Sequence, residues 1–144
     1  MEFLEDENGQ QQVIDLIHDI VTKAQTDKNY REMAKRIAQV FQHLKTTGVP
    51  PEHLSTINAK STDGFTITLV DIVKELTEYK PLLETRINWK PVGAFRAIFF
   101  YEEDSRGNQI IYYTKAVIKT STFSQDFEDI AAESEKMMKE FYTN

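Results

Sequence analysis

Leu82-Leu83-Glu84-Thr85-Arg86-Ile87-Asn88-Trp89, Ala94-Phe95-Arg96-Ala97-Ile98-Phe99-Phe100-Tyr101-Glu102 and Gln109-Ile110-Ile111-Tyr112-Tyr113-Thr114-Lys115-Ala116-Val117-Ile118-Lys119 follow one another with only short breaks. All three segments are rich in aromatic and β-branched residues, which suit a pleated, packed surface, so each predicts a strand. The breaks, Lys90-Pro91-Val92-Gly93 and Asp104-Ser105-Arg106-Gly107-Asn108, have the composition of hairpin loops. Together they predict an antiparallel meander over residues 82–119.

Helical patterns surround this meander. Val13, Ile14, Ile17, Ile20, Val21 and Ala24 recur at three-and-four spacing, after an Asp6-Glu7-Asn8-Gly9 turn in which Asn8 is a candidate cap. Thr26-Asp27-Lys28-Asn29 breaks the pattern. A second helix then carries Tyr30, Met33, Ile37, Val40, Phe41 and Leu44 on one face, closed by Gly48 and Pro50-Pro51. So short a connection predicts an antiparallel helical hairpin. A last helix begins near Gln125, with Ser124 as cap and Asp126, Glu128 and Asp129 in its first turn. Its expected buried face is Phe127, Ile130, Ala131, Met137, Met138 and Phe141, with the methionines as core filling.

Residues 2–5 suit a first edge strand. Residues 49–68 have no periodicity, while Leu69, Ile72, Val73 and Leu76 predict a short helix stopped by Pro81. The expected order is β-α-α-(α)-β-β-β-α, a single α+β domain with the hairpin packed on a small antiparallel sheet.

The chain has 144 residues, 40% hydrophobic and 28% charged, enough apolar material for one core. It has no cysteine, which excludes disulfides and thiol chemistry. No basic leader precedes an apolar run, and no run approaches the roughly 20 residues needed to span a bilayer, so the expectation is a cytoplasmic protein without a membrane partner. The net charge of −6 argues against a simple polyanion binder, but its distribution is uneven. Residues 1–20 carry six acids and no base, whereas residues 21–60 carry seven bases against three acids and residues 81–120 six against four. The acidity belongs mainly to the termini, and screening confines its reach to about 10 Å.

Arg86 and Arg96 interrupt otherwise apolar strands, a costly arrangement unless each is paired or reaches solvent. Symmetric closure of the second hairpin sets Tyr101 opposite Ile110 and Arg96 opposite Lys115, a like-charge pair that needs an anion or the Glu84 carboxylate between. Arg86, Arg96, Lys115 and Lys119, with Tyr112 or Tyr113, are the phosphate-binding candidates, followed by the hydroxyl-rich Thr120-Ser121-Thr122. Lys90, in the first hairpin loop, joins them. The alternative is that Glu84 pairs with an arginine and nothing binds. His18, His43 and His53 lack metal-ligand spacing, with His18 expected at the border of the helix interface. No phosphate-cradling glycine loop, nucleophile elbow or HExxH stretch is present. Trp89 is either a base-stacking residue or a lid on the sheet edge.

In order and spacing, these residues resemble phage-derived, HigB-like proteins of the RelE/ParE toxin superfamily. Phe3-Leu4-Glu5-Asp6-Glu7-Asn8-Gly9 before a helix is similar to that family's opening. Leu44-Lys45-Thr46-Thr47-Gly48 is similar to its L-x-x-x-G, Glu84-Thr85-Arg86 to its E-L-R, and Phe95-Arg96-Ala97-Ile98-Phe99-Phe100 to its Y-R-I-x-Y-F. Residues 50–80 look like an insertion. The resemblance implies a RelE-like fold and a ribosome-associated mRNA interferase, silenced by a cognate antitoxin, normally a helix-turn-helix protein. It implies metal- and cofactor-free cleavage by a 2′-hydroxyl, with Arg86 and Arg96 on the phosphate. Lys119, with Lys115, would position RNA or transfer a proton. Where the family ends its last strand G-F-x-K-K-T-x-K-T-P, often after a histidine, this chain reads Thr114 to Ser124 without the histidine, the proline or two of the lysines. The alternative is therefore a non-catalytic phage or mobile-element member that binds a protein partner. A ParE-like gyrase inhibitor is a third reading.

Overall fold

In the computed structural model, which describes residues 1–51 and 55–144, the elements run β1 (Glu2–Phe3), α1 (Gln12–Ala24), α2 (Lys28–Thr47), β2 (Ile57–Lys60), β3 (Thr66–Leu69), β4 (Val73–Glu75), β5 (Leu83–Trp89), β6 (Gly93–Glu103), β7 (Gln109–Lys119) and α3 (Gln125–Thr143). This is an α+β fold: an N-terminal helical hairpin, a five-stranded sheet, a two-stranded sheet and a C-terminal helix. His53 lies outside the described residues. Among the described residues, no helix is long and apolar enough to cross a membrane.

The meander forms as its composition predicts, and β7 has the expected bounds. The large sheet is mixed rather than antiparallel, however. Its order is β1-β7-β6-β5-β4, and β1 pairs parallel with β7 (Glu2 with Tyr112, Phe3 with Tyr113). Two residues are too few to reveal a pairing direction in sequence.

The expected helix over 69–76 is absent. Leu69 ends β3, Val73 lies in β4, and the two strands are separated by Asp71 at φ +51°. A left-handed residue cannot continue a helix, and Thr66-Ile67-Thr68-Leu69 instead pairs with β2. Leu69, Ile72, Val73 and Leu76 are buried nonetheless, so their spacing reported burial and not helicity. Asn8 does not cap α1 either. Asp6 takes that turn, accepting from the Asn8 and Gln10 amides at 2.9 and 3.0 Å. His18 is solvent-exposed.

The helical hairpin covers one face of the large sheet and α3 the other. Val13, Ile20, Met33, Ile37, Val40 and Leu44 are fully buried from the hairpin, against Ala131 and Met138 from α3. At about 1.5–3 kcal/mol for each large apolar side chain, the hairpin face supplies most of the hydrophobic stabilisation. Ser124 caps α3 as expected, accepting from the Phe127 amide at 3.1 Å. Gly48 ends α2 at φ +88°, and a Cβ there would lie 2.7 Å from Gln109 Oε1, which accepts from the Val49 amide.

Register departs from symmetric closure. Tyr101 faces Ile111, not Ile110. Phe99 pairs with Tyr113 but Ala97 with Ala116, so β7 holds one extra residue at Thr114-Lys115. Beyond this bulge Ala116 and Ile118 rejoin the hairpin-side core, and Lys119 emerges on the α3 side, its ammonium 5.0 Å from the Phe127 ring centre. Arg96 therefore faces Val117 on β7, and on β5 it faces Arg86.

The two-stranded sheet is tied to α2 by Glu32. This carboxylate, 5% exposed, accepts from Arg36 Nε at 2.8 Å and from the Thr62 amide and hydroxyl at 2.9 and 3.1 Å. Burial raises the Glu32 pKa, but the Thr62 and Arg36 donors outweigh it and hold the group below its ordinary value. A depressed folded-state pKa contributes stability that is present above the unfolded-state value and lost as pH falls through the folded one. Glu32→Ala is expected to lower the urea midpoint at neutral pH by the equivalent of about 1–3 kcal/mol. The gap to wild type should narrow in acid, and a gap that is pH-independent would contradict this account.

Candidate functional site

β5 and β6 alternate their side chains between the two faces, so Glu84, Arg86 and Arg96 share the α3 face with Lys119. α3 covers this face around Ile98, Phe100 and Tyr112 but leaves the far end open. There a cleft of about 370 Å³ has Glu84, Arg86, Arg96 and Lys119 in its lining, with Lys74 of β4 and Tyr79. Three residues separated in sequence, Arg86, Arg96 and Lys119, thus meet in one place.

Arg86 and Arg96 stand directly opposite each other across two strands, and Glu84 lies between them. Glu84 Oε1 is 3.3 Å from Arg86 Nε and 3.9 Å from Arg96 Nε. Arg96 is further held by donating Nη1 to Asn88 Oδ1 at 2.9 Å and to the Phe95 carbonyl at 3.0 Å. The Arg86 amide donates to the Ile72 carbonyl at 2.8 Å, but its guanidinium has no hydrogen bond among the described residues and meets Glu84 as an ion pair alone. The second carboxylate oxygen of Glu84 is buried and also without a partner.

The electrostatics follow from this burial. Glu84 is 6% exposed, and desolvation raises its pKa above the ordinary glutamate value even though Arg96, Arg86, Lys119 and Lys74 all pull it down. Desolvation also lowers the Arg96 pKa; Arg86 adds to that effect and Glu84 opposes it. Perturbed groups of both signs beside an open cleft are a recurrent property of functional sites. The lining of the cleft sets four cations, Lys74, Arg86, Arg96 and Lys119, against four glutamates, Glu75, Glu78, Glu84 and Glu128.

The other candidates separate from this group. Lys115, turned aside by the bulge, is clamped 2.8 Å from Glu133 and 3.4 Å from Asp6. Burial depresses its pKa, but the two carboxylates more than reverse this, and the ammonium is fully committed to them. Its expected place beside Arg96 is corrected by the register. Tyr113 is completely buried on the hairpin face, its hydroxyl 2.7 Å from Thr85 Oγ1, so it cannot reach a phosphate. Tyr112 packs between Phe100 and Phe141 in the α3-side core, with ring centres 5.3 and 4.7 Å away, and is likewise a core residue. Lys90 is exposed in the β5–β6 turn and lines an adjoining groove. Trp89 packs against the hairpin-side core, in keeping with the expected lid, and the Arg36 guanidinium lies 4.5 Å over its ring.

Lys74 and Tyr79 went unnoticed in sequence because both fall in or beside the segment mistaken for a helix. The signal that identifies Lys74 is its place in an alternating Val73-Lys74-Glu75 strand paired to Glu84. Among the described residues, no group of three or more His, Asp or Glu is placed to hold a metal ion. No family model, curated protein or solved structure matches the chain.

Proposed function

We propose that the protein is a toxin-type mRNA interferase of the RelE/HigB-like kind, which cleaves ribosome-bound mRNA and is silenced by a helix-turn-helix antitoxin. One observation carries this reading: Arg86, Arg96 and Lys119 converge on a cleft with a single buried carboxylate among them. Opposed arginines in a sheet are unfavourable for folding, and a doubly charged anion-binding site is what such an arrangement supplies.

The chemistry needs only these side chains. Glu84, ionised and in the lining of the cleft, takes the proton from a ribose 2′-hydroxyl. The 2′-oxygen then bonds to the adjacent phosphorus, and the bond from phosphorus to the 5′-oxygen breaks. Lys119 gives that oxygen its proton, which leaves a 2′,3′-cyclic phosphate and a 5′-hydroxyl. Arg86 and Arg96 stabilise the charge that builds on the phosphorane. Lys119 resting on the Phe127 ring keeps its ammonium near the cleft.

The test is cleavage in a translating extract, with product ends identified. Intact mRNA with wild-type protein overturns the reading. The pH profile adds a second check. Because Glu84 works ionised and its pKa is raised, activity should climb with pH through a midpoint above the ordinary glutamate value. Glu84→Gln should lose that acidic limb together with most of kcat.

A second reading, a non-catalytic member of the same fold that binds a protein, draws support from the neutralised Lys115 and the carboxylates Glu75, Glu78 and Glu128 in the cleft lining. A pull-down that returns a protein partner, in the absence of RNA cleavage, favours it.

A further inference from the structure

We infer that the groove next to the cleft seats a second phosphate of the same strand, so that the ligand is a single-stranded oligonucleotide holding at least two successive phosphodiesters. This rests on the proposed reading of the cleft as a phosphodiester site. The groove, about 420 Å³, shares Lys119 with that cleft and is otherwise lined by Asn88, Lys90 and Thr120 to Thr122, together with Val92, Gly93 and Ala94. No carboxylate lines it, in a chain whose net charge is −6. That contrast with the cleft, which carries four glutamates in its lining, marks the groove as selectively anion-receptive.

What the groove offers is almost entirely donors. Asn88 uses Oδ1 to accept from Arg96, which leaves its amide N–H groups as the free end. The same contact joins the groove mechanically to the arginine of the cleft. Lys90 has no carboxylate within ion-pair distance among the described residues, and neither has Lys119. Ser121 donates to the Phe123 carbonyl, while the Thr120 and Thr122 hydroxyls have no partner among the described residues. Gly93, at φ +139°, lets the walls approach: a Cβ there would lie 2.7 Å from the Lys119 carbonyl oxygen.

An aromatic follows immediately. Phe123 is 70% exposed, next to the hydroxyl-rich wall. A cationic groove with a ring at its rim is the combination that holds single-stranded nucleic acid, the ring stacking on a base and the cations tracking the backbone. A compact anion such as inorganic phosphate would use only one of the two sites.

The experiment measures fluorescence anisotropy with uncleavable 2′-deoxy oligonucleotides of one, two and three phosphodiesters, with inorganic phosphate as competitor. Wild type should gain about tenfold in affinity between one and two phosphodiesters, as a further charge-assisted contact supplies. The exposed double variant Lys90→Ala/Thr122→Ala should erase that step. Lys90→Ala alone should reduce the salt slope by about 0.7 for a single strand. Phe123→Ala should weaken the normal oligonucleotide and not one abasic at the second position. Binding of one phosphodiester with no gain from a second overturns the inference and leaves the cleft reading intact. Failure to bind any of the oligonucleotides overturns both. Equal competition by an acidic peptide assigns the groove to a protein and overturns the inference.

Discussion

Arg96→Ala is expected to abolish mRNA cleavage and the growth arrest that follows induced expression. The guanidinium is fixed from three directions, by Asn88 Oδ1, the Phe95 carbonyl and Glu84, so its charge is oriented before any substrate arrives. Removal of one preorganised charge-stabilising group typically costs about 10²–10³ in kcat. The substitution also leaves Glu84 buried beside Arg86 alone, and breaking a buried pair costs about 3–5 kcal/mol of stability. Folding and chemistry therefore have to be separated. Arg86→Ala does so, because the Arg86 side chain is half-buried, its loss removes a like charge opposite Arg96, and Glu84 keeps Arg96 as its partner. It should melt close to wild type and still cleave at least tenfold more slowly. Arg96→Lys keeps the charge but not the forked donors, and should restore folding more than activity. An Arg96→Ala protein that is folded and cleaves at the wild-type rate would falsify the assignment.

The largest effect on stability is expected at Tyr113. Its ring lies 4.8 Å from Phe41, 5.3 Å from Phe99 and 5.5 Å from Phe3, so one side chain joins α2, β6 and β1 to β7. Truncation of a large buried aromatic to alanine costs about 3–5 kcal/mol. Against a typical total of about 5–15 kcal/mol, Tyr113→Ala should leave the chain marginal or unfolded. Tyr113→Phe isolates the hydroxyl. It strands Thr85 Oγ1 in the core at a cost of about 1–3 kcal/mol, read as a shift of urea midpoint at constant slope. Burial, opposed only by the Thr85 contact, pushes the Tyr113 phenol well above its ordinary pKa. A spectrophotometric titration should accordingly show one tyrosine that ionises only on unfolding.

The meander was legible because its residues leave little choice: aromatic and β-branched runs of this length form strands, and Ser124 announces α3. The N-terminal hairpin was legible from its period, although Ile14 and Val21 of its expected buried face remain exposed. Residues 57–76 were not legible. Leu69, Ile72, Val73 and Leu76 have helical spacing, and only the pairing of β3 with the preceding β2 and of β4 with the following β5 makes strands of this region. The cleft was half legible. That Arg86 and Arg96 need a counter-charge follows from their apolar neighbours, and Glu84 does stand between charges. Which charges it stands between depended on register. A shifted hairpin register and one extra residue in β7 put Val117 where Lys115 was expected opposite Arg96, while Arg86 faces Arg96 from β5, and composition does not reveal where a strand bulges.

That extra residue acts as a phase shift in the strand's two-residue rhythm. With a regular β7 the alternation would run unbroken from Tyr113, and the odd-numbered Lys119 would fall on the face of Phe3 and Phe41, an ammonium beneath the helical hairpin. Ala116 and Ile118 would turn to the α3 face in its place. With the bulge, the same composition sends Lys119 to the cleft and swings Lys115 to Asp6 and Glu133, tying the loop before α1 to α3. Two lysines four positions apart on one strand are thereby divided between a clamp and a site, by a single unit of chain length.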